Sequence, residues 1–219
     1  MHGDVASPED VFIVTSTIAV SDAPLSYTST RSIFSREERF AQTLRTLQSV
    51  RARAPGAYLM VIDNSEIDQS EFTGFSALAD FIISGDAALM SLRDHPNKGV
   101  SEAALVRKAL EFTRKRPRRR LFKLSGRYEL TDAFRIGTFS LSRFSFLLRD
   151  EVYSTVLYSV PQAEEATYDD ALRRVIESAG SLDGIERLLR ELIPACRVDL
   201  VPQLGVSGFI AVDGTRLCL

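Results

Sequence analysis

Three short polar clusters in this chain follow directly on apolar runs: Thr15-Ser16-Thr17, Asp63-Asn64-Ser65 and Ser125-Gly126-Arg127-Tyr128. Asp63 and Asn64 can accept hydrogen bonds from ribose hydroxyls or a base edge. The same residue types close Asx turns and cap helices, so both roles stand open. Gly126 lets backbone come close to a ligand, and Arg127 offers a fixed fork of donors for a phosphate or carboxylate. Lys123 adds a second cation, which shares a face with Arg127 only if the strand runs on through both. Asn97-Lys98-Gly99 precedes a helical pattern, where unpaired backbone N–H groups and a lysine suit an anion. It lacks the GxxxxGK[ST] spacing of a Walker loop, and a plain helix entry is the simpler account.

Other groups are less directed. Arg114-Lys115-Arg116-Pro117-Arg118-Arg119-Arg120 packs six cations into seven residues. Such a run can bind nucleic acid, but no aromatic residues interleave it to stack on bases. Its place between a helix and a buried strand suits a solvated loop. The pairs Glu164/Glu165 and Asp169/Asp170 could provide a general base or form the solvated face of a helix start. His2 and His95 have no obvious partners, and no GxSxG elbow accompanies them. Cys196 and Cys218 form no CxxC unit, which argues against structural zinc and fits a reducing compartment.

Composition narrows the classes further. With 27 basic and 29 acidic residues the formal charge is −2, so no net field draws the chain to nucleic acid or membrane. A substrate must be held by local groups. The start, MHGDVASPED, lacks a cationic stretch followed by an apolar run, and no apolar run approaches the ~20 residues of a membrane span. A cytoplasmic protein is expected.

Residues 11–20 (VFIVTSTIAV), which carry the first of these clusters, read as a strand buried on both faces. Ser35 and Glu38 form a capping-box pattern for a helix that Pro55-Gly56 ends, with Phe40, Leu44, Leu47 and Val50 on one face. Residues 58–62 predict a second strand, 72–78 a short helix and 81–84 a third strand. Residues 101–114 predict a helix capped by Ser101, and 121–124 a fourth strand. Strand, helix, strand with a long crossover predicts a parallel pair. Beyond residue 130 alternation replaces continuous hydrophobicity. Strands are expected at 144–148 and 152–160 around a turn at 149–151. Helices follow at 164–178 and 183–192, joined by Ala179-Gly180-Ser181. Strands at 198–201 and 209–212 complete the pattern, with a hairpin turn at Asp213-Gly214. The expected fold is α/β: a mostly parallel central sheet with helices on both faces and a smaller antiparallel and helical C-terminal part, all in one domain, 1–219. In such sheets ligands bind outside the carboxyl ends of the strands, which is where the three polar clusters lie.

The segments VFIVTSTI, SREERFAQTLRTLQSVRARAPGAYLMVIDNSE, NKGVSEAALVRKALEF and RLFKLSGRYEL occur in the order seen in small bacterial and viral glycosyltransferase-like proteins of the GT-A type. The resemblance covers residues 11–134 and, more loosely, the tail QLGVSGFIAVDG; FKLSGRY is its most specific element. It implies a nucleotide-sugar donor, a glycan or glycoconjugate acceptor and a role in surface polysaccharide synthesis. Residues 11–134 would form the donor-binding half and 135–219 the acceptor-side half. Thr15, Ser16 and Thr17 would line the nucleotide pocket, with Asp63 and Asn64 near base or ribose and Lys98 and Gly99 beside the donor.

The resemblance breaks at one point. Ser125-Gly126-Arg127 stands where GT-A enzymes carry the acidic DxD motif, which holds a divalent metal (Mn or Mg) against the leaving diphosphate. Arg127 with Lys123 is expected to neutralise the diphosphate instead, giving a metal-independent or weakly metal-dependent transferase. Glu129 and Asp132 remain candidates for the catalytic base or for a metal ligand. Two rival readings are a non-catalytic nucleotide- or carbohydrate-binding relative and a nucleic-acid-associated protein using Arg114 to Arg120.

Overall fold

A β-branched, apolar segment pairs best where both of its faces are covered. In the computed structural model, which describes residues 9–180 and 183–219, the first strand, β1 (Glu9–Ser16), lies at the middle of the main sheet. It is parallel to β2 (Tyr58–Asp63) on one side and to β4 (Arg118–Ser125) on the other. β3 (Phe81–Ile83) extends the sheet beyond β2. β9 (Leu157–Pro161) runs antiparallel to β4, and β6 (Phe144–Phe146) and β10 (Val198–Leu200) complete the order β10-β6-β9-β4-β1-β2-β3. β9 alone opposes the direction of the other strands, so the sheet is mostly parallel.

Alternate residues of each central strand feed two cores. Val11, Ile13, Met60, Ile62 and Leu121 face α3 (Ala87–Arg93), α4 (Lys98–Thr113), α5 (Glu165–Glu177) and α6 (Ile185–Leu192). Phe12, Val14, Leu59, Val61 and Phe122 face α1 (Arg36–Arg53) and α2 (Gln69–Ser76). Phe12 stacks on Phe122 at 4.5 Å between centroids, locking β1 to β4. A three-stranded antiparallel sheet of β5 (Tyr128–Leu130), β11 (Val206–Phe209) and β12 (Arg216–Cys218) packs beside α1. The hairpin of β7 (Leu148–Arg149) and β8 (Val152–Tyr153) turns through Asp150 and Glu151, both at positive φ.

The capping box forms as expected: Ser35 Oγ accepts from the Glu38 N–H, and Glu38 accepts from the Ser35 N–H. Several boundaries differ from the sequence reading. β1 stops at Ser16 because the next N–H groups leave the sheet: Ile18 N–H donates to Asp63 Oδ2 and Ala19 N–H to Ser65 Oγ. α4 starts at Lys98, capped by Asn97 through the Gly99 N–H, so Ser101 lies inside the helix. β4 takes in Arg118, Arg119 and Arg120, because their charges find acids: Glu165 on α5 for Arg118, and Asp10 across the sheet for Arg119 and Arg120. The segment expected as one strand at 152–160 is two, and α3 has no counterpart in the sequence reading. His2 and Ser181 lie outside the described residues. No described helix is long and apolar enough to cross a membrane.

Candidate functional site

The carboxyl ends of β1 and β4, the start of α4 and the segment 17–34 enclose a cleft of two connected lobes. The first, about 630 Å³ with its open mouth, is floored by Thr15, Ser16 and Thr17 and walled by Val20, Leu25 and Leu105. The second, about 820 Å³, is lined by Tyr27, Tyr128, Thr155 and Glu186. Lys98, Glu102, Ser125 and Arg127 belong to both.

Arg127 sits where β4 turns into β5. The Gly126 N–H donates to Thr15 O at 2.8 Å, and a Cβ at 126 would lie 3.1 Å from both Thr15 O and Thr43 Oγ1. Glycine therefore permits the turn to press against β1. From the other side Gly208 admits the Arg127 carbonyl, which a Cβ there would meet at 2.2 Å. Arg127 Nε donates to Phe209 O at 3.3 Å, and among the described residues no acid pairs with the guanidinium. Its remaining donors are free for a ligand.

Two more cations share this site. Arg39, buried on the first turns of α1, donates through Nε to Thr17 O and through Nη1 to Ser32 Oγ at 3.1 Å, without an acidic ion-pair partner among the described residues. Burial and then the charge of Arg127 bring its pKa down to about 9. Lys98, at the first position of α4, has no bonded partner among the described residues. The charge of Arg127 first, and burial second, lower its pKa to about 7. Arg39, Lys98 and Arg127 thus repel one another across one cleft, beside a helix N-terminus that adds partial positive charge. Such an arrangement is costly alone and favourable around a polyanion.

The structure draws other expected site residues out of the cleft. Asp63 and Asn64 are buried. Asp63 accepts from Ile18 N–H and Ser65 N–H, while Asn64 accepts from Thr17 Oγ1 at 2.7 Å and donates to Ser101 Oγ at 2.7 Å. They fold segment 17–19 over the strand ends, the turn-forming role, and do not line the cleft. Burial raises the Asp63 carboxyl, against the pull of these donors. Lys123 is also turned away: it is fully buried, paired with Glu102 and donating to Ser125 Oγ at 2.8 Å and Thr155 O at 2.6 Å. Its strand face points at α4, so Lys98 rather than Lys123 is the cation beside Arg127. Gly99 serves packing as well as the rim, since a Cβ there would lie 2.9 Å from Ile185. Glu129 and Asp132 point away from the cleft into exposed ion pairs with Arg45 and Arg53.

The alternative bases are likewise engaged elsewhere. Glu164 pairs with Arg197, Glu165 with Arg114 and Arg118, Asp169 with Arg107 and Arg114, and Asp170 with Arg173. The cationic run is not a solvated loop. Arg118 and Arg120 are buried, Asp10 pairs with both Arg119 and Arg120, and Arg116 pairs with Glu9 while lying over the Tyr58 ring. Only Lys115 of the run has no partner among the described residues, which leaves little charge for a nucleic acid.

Sequence reasoning passed over Arg39, Glu102 and Glu186. Arg39 had a signal: with Gln42, Thr43 and Thr46 it forms a polar stripe on the buried side of α1, opposite to what core packing asks for. Glu186 had none, because its position depends on how α6 docks against Gly99.

The expected DxD position holds no carboxylate pair for a divalent metal. The tip of β4 presents a cation instead of carboxylates, Glu102 is neutralised by Lys123, and a hard metal ion wants several oxygen ligands. Among the described residues no cluster of three His, Cys, Asp or Glu side chains could hold a metal.

No family model matches the chain, and no curated protein matches it in sequence. Solved structures do match in fold. The core-mannan synthase A (CmsA/Ktr4) of Aspergillus fumigatus, in its Mn/GDP form, aligns with a TM-score of 0.57 at 8% identity, covering 94% of this chain and 76% of that one. A nucleoside-diphosphate-sugar pyrophosphorylase from Vibrio cholerae RC9 gives 0.53 at 12%, covering 90% and 93%. The glycosyltransferase GlyE of Streptococcus pneumoniae TIGR4 gives 0.51 at 8%, covering 90% of this chain, which spans only 45% of that protein. At these identities the likeness establishes the fold: a mostly parallel α/β sheet of the GT-A type.

Proposed function

We propose that this chain is a nucleotide-sugar-dependent glycosyltransferase that neutralises its leaving diphosphate with side-chain cations. The observation that carries the reading is the convergence of Arg39, Lys98 and Arg127, none with an ion-pair partner among the described residues, at the carboxyl edge of a GT-A-type sheet. Transfer leaves negative charge on the diphosphate as the glycosidic bond to it breaks, and fixed cations lower that barrier without reorganising. Base and ribose would enter the first lobe, between Val20, Leu25 and Leu105 over the Thr15-Ser16-Thr17 floor. The diphosphate would lie at Arg127 and Lys98, and the sugar would extend into the second lobe. That lobe draws Thr155 and Glu186 from the C-terminal part, in keeping with a donor half at 11–134 and an acceptor half at 135–219. The reading extends to a glycan or glycoconjugate acceptor in surface polysaccharide synthesis, in the cytoplasm.

The test is a thermal-shift screen against UDP, GDP, CMP and dTDP species, each with and without manganese, on the wild type and on Arg127→Ala. A nucleoside diphosphate at about a hundred times its dissociation constant adds about 2.7 kcal/mol of stability. The expected result is a shift that needs no manganese and is lost in the variant. A strict manganese requirement that Arg127→Ala leaves unchanged sinks the mechanism. Binding with no turnover on any donor would identify a non-catalytic relative.

A further inference from the structure

The second lobe faces its open space with two carboxylates, and they are not alike. Glu102, on α4, is held by the buried ammonium of Lys123. Glu186, in the first turn of α6, is mostly shielded yet pairs with no cation among the described residues. Its one side-chain partner is the Thr155 hydroxyl, which donates to Oε1 at 3.0 Å. The same Thr155 accepts from Lys123 through its carbonyl, at 2.6 Å. A chain from Glu102 through Lys123 and Thr155 to Glu186 therefore fixes this carboxylate from behind. Gly184 clears the room in front: a Cβ there would lie 2.8 Å from Glu186 Oε2. Burial first, and the charge of Glu102 second, push the Glu186 carboxyl above the usual range. Lys98 and Arg127 line the same lobe, so two cations and a carboxylate without an ion-pair partner among the described residues share one space.

We infer that Glu186 contacts the sugar end of the bound donor and takes the proton of the attacking hydroxyl. This rests on the glycosyltransferase reading and assigns its proton acceptor. The acceptor oxygen bonds to the anomeric carbon as the bond from that carbon to the diphosphate oxygen breaks. The electron pair leaves with the diphosphate toward Arg127 and Lys98, and the hydroxyl proton passes to the Glu186 carboxylate. Thr155 and Gly184 are positioning residues, acting only through where that carboxylate lies. A carboxylate with a raised pKa is suited to hold a proton in the course of such a step near neutrality.

Two measurements test the assignment. In calorimetry, Glu186→Ala should bind free UDP, GDP, CDP or dTDP within twofold of wild type, while affinity for the corresponding nucleotide sugar falls about tenfold. In turnover, read as release of the nucleoside diphosphate to water or to a panel of free sugars, Glu186→Gln should lose roughly 10²- to 10⁴-fold. The acid limb of the wild-type kcat/KM profile, where activity falls as Glu186 protonates, should vanish with it. Glu102 and Lys98 on α4, Lys123 on β4, Arg127 and Tyr27 also face this carboxylate, and their retention in the variant isolates its titration. Gly184→Ala, which displaces the carboxylate without touching the cations, should lower turnover in the same direction by less. Equal losses for nucleotide sugar and free diphosphate in Glu186→Ala, or an unchanged acid limb in Glu186→Gln, overturn the assignment and leave the transferase reading standing. A wild-type protein with no affinity for any nucleoside diphosphate removes both.

Discussion

Strand β4 carries cations at both of its ends, and the two ends differ in what surrounds them. At the amino end Arg116, Arg118, Arg119 and Arg120 meet Glu9, Glu165 and Asp10 across the sheet and from α5. At the carboxyl end Arg127 meets two more cations, Arg39 and Lys98, and among the described residues none of the three is held in an ion pair. The amino end is dense in charge along the chain and nearly neutral in space. The carboxyl end is sparse along the chain and concentrated in space. Charge that is already compensated holds the fold together, whereas uncompensated charge at a cleft is available to a ligand.

The sharpest way to break this comparison is at Asp10. Asp10→Ala would leave the buried Arg120 guanidinium without its acid, a change that costs about 3–5 kcal/mol. On a chain of this length each kcal/mol is worth roughly 2–4 °C, so the melting temperature should fall by on the order of 10 °C. The affinity for a nucleoside diphosphate, measured on the folded fraction by calorimetry, should stay within twofold. Arg127→Ala should do the reverse. Losing hydrogen bonds to a charged group costs about 1.5–3 kcal/mol, or roughly ten- to a hundredfold in diphosphate affinity. Its melting temperature without ligand should hold or rise, because a repulsive charge is gone. If both variants lower stability and affinity alike, the division between the two ends fails.

Lys98 supplies a finer test, in which pH sets the sign. Its folded pKa of about 7 lies below the unfolded value of about 10.4, so folding expels a proton between these limits. The cost of keeping Lys98 charged in the fold is full below pH 7 and fades as the pH rises toward the unfolded value. Lys98→Met should therefore raise the melting temperature at pH 6, by about 1 kcal/mol after solvent screening or roughly 2–4 °C, and by progressively less at pH 8 and 9. Diphosphate affinity should weaken in the wild type as pH rises from 7 to 8, and stay nearly flat in the variant until Arg39 begins to lose its proton toward pH 9, which calorimetry across that range would show. The smallest expected effect is at Lys115, the unpaired cation of the amino end: Lys115→Ala should change neither stability beyond about 0.5 kcal/mol nor retention on heparin.

How far the sequence carried can be followed residue by residue. Continuous apolar runs, the Ser35/Glu38 capping box and the Pro55-Gly56 break are local signals, and each produced the element it announced. The strand-end rule led to Arg127 and to Thr15, Ser16 and Thr17, all of which line the cleft. It led equally to Asp63 and Asn64, which are buried, because a strand end can feed a turn as readily as a ligand. Lys123 shows the limit most plainly. Spacing fixes which face of β4 carries it, but whether that face meets a cleft or the helix α4 depends on packing.

The amino-acid sequence by itself determined much of the alternation of strands and helices, the mostly parallel character of the central sheet and the edge at which a ligand site would open. Those follow from hydrophobic period, caps and turn residues, which act over a few neighbours. Only the tertiary structure decided which charges were spent inside the fold and which stayed free. Arg120 finds Asp10 and Lys123 finds Glu102 across long stretches of chain, while Arg39, Lys98 and Arg127 are brought together from three separate stretches of chain with no ion pair among the described residues. Electrostatic compensation is a property of distance in space, and no pattern along the chain encodes it.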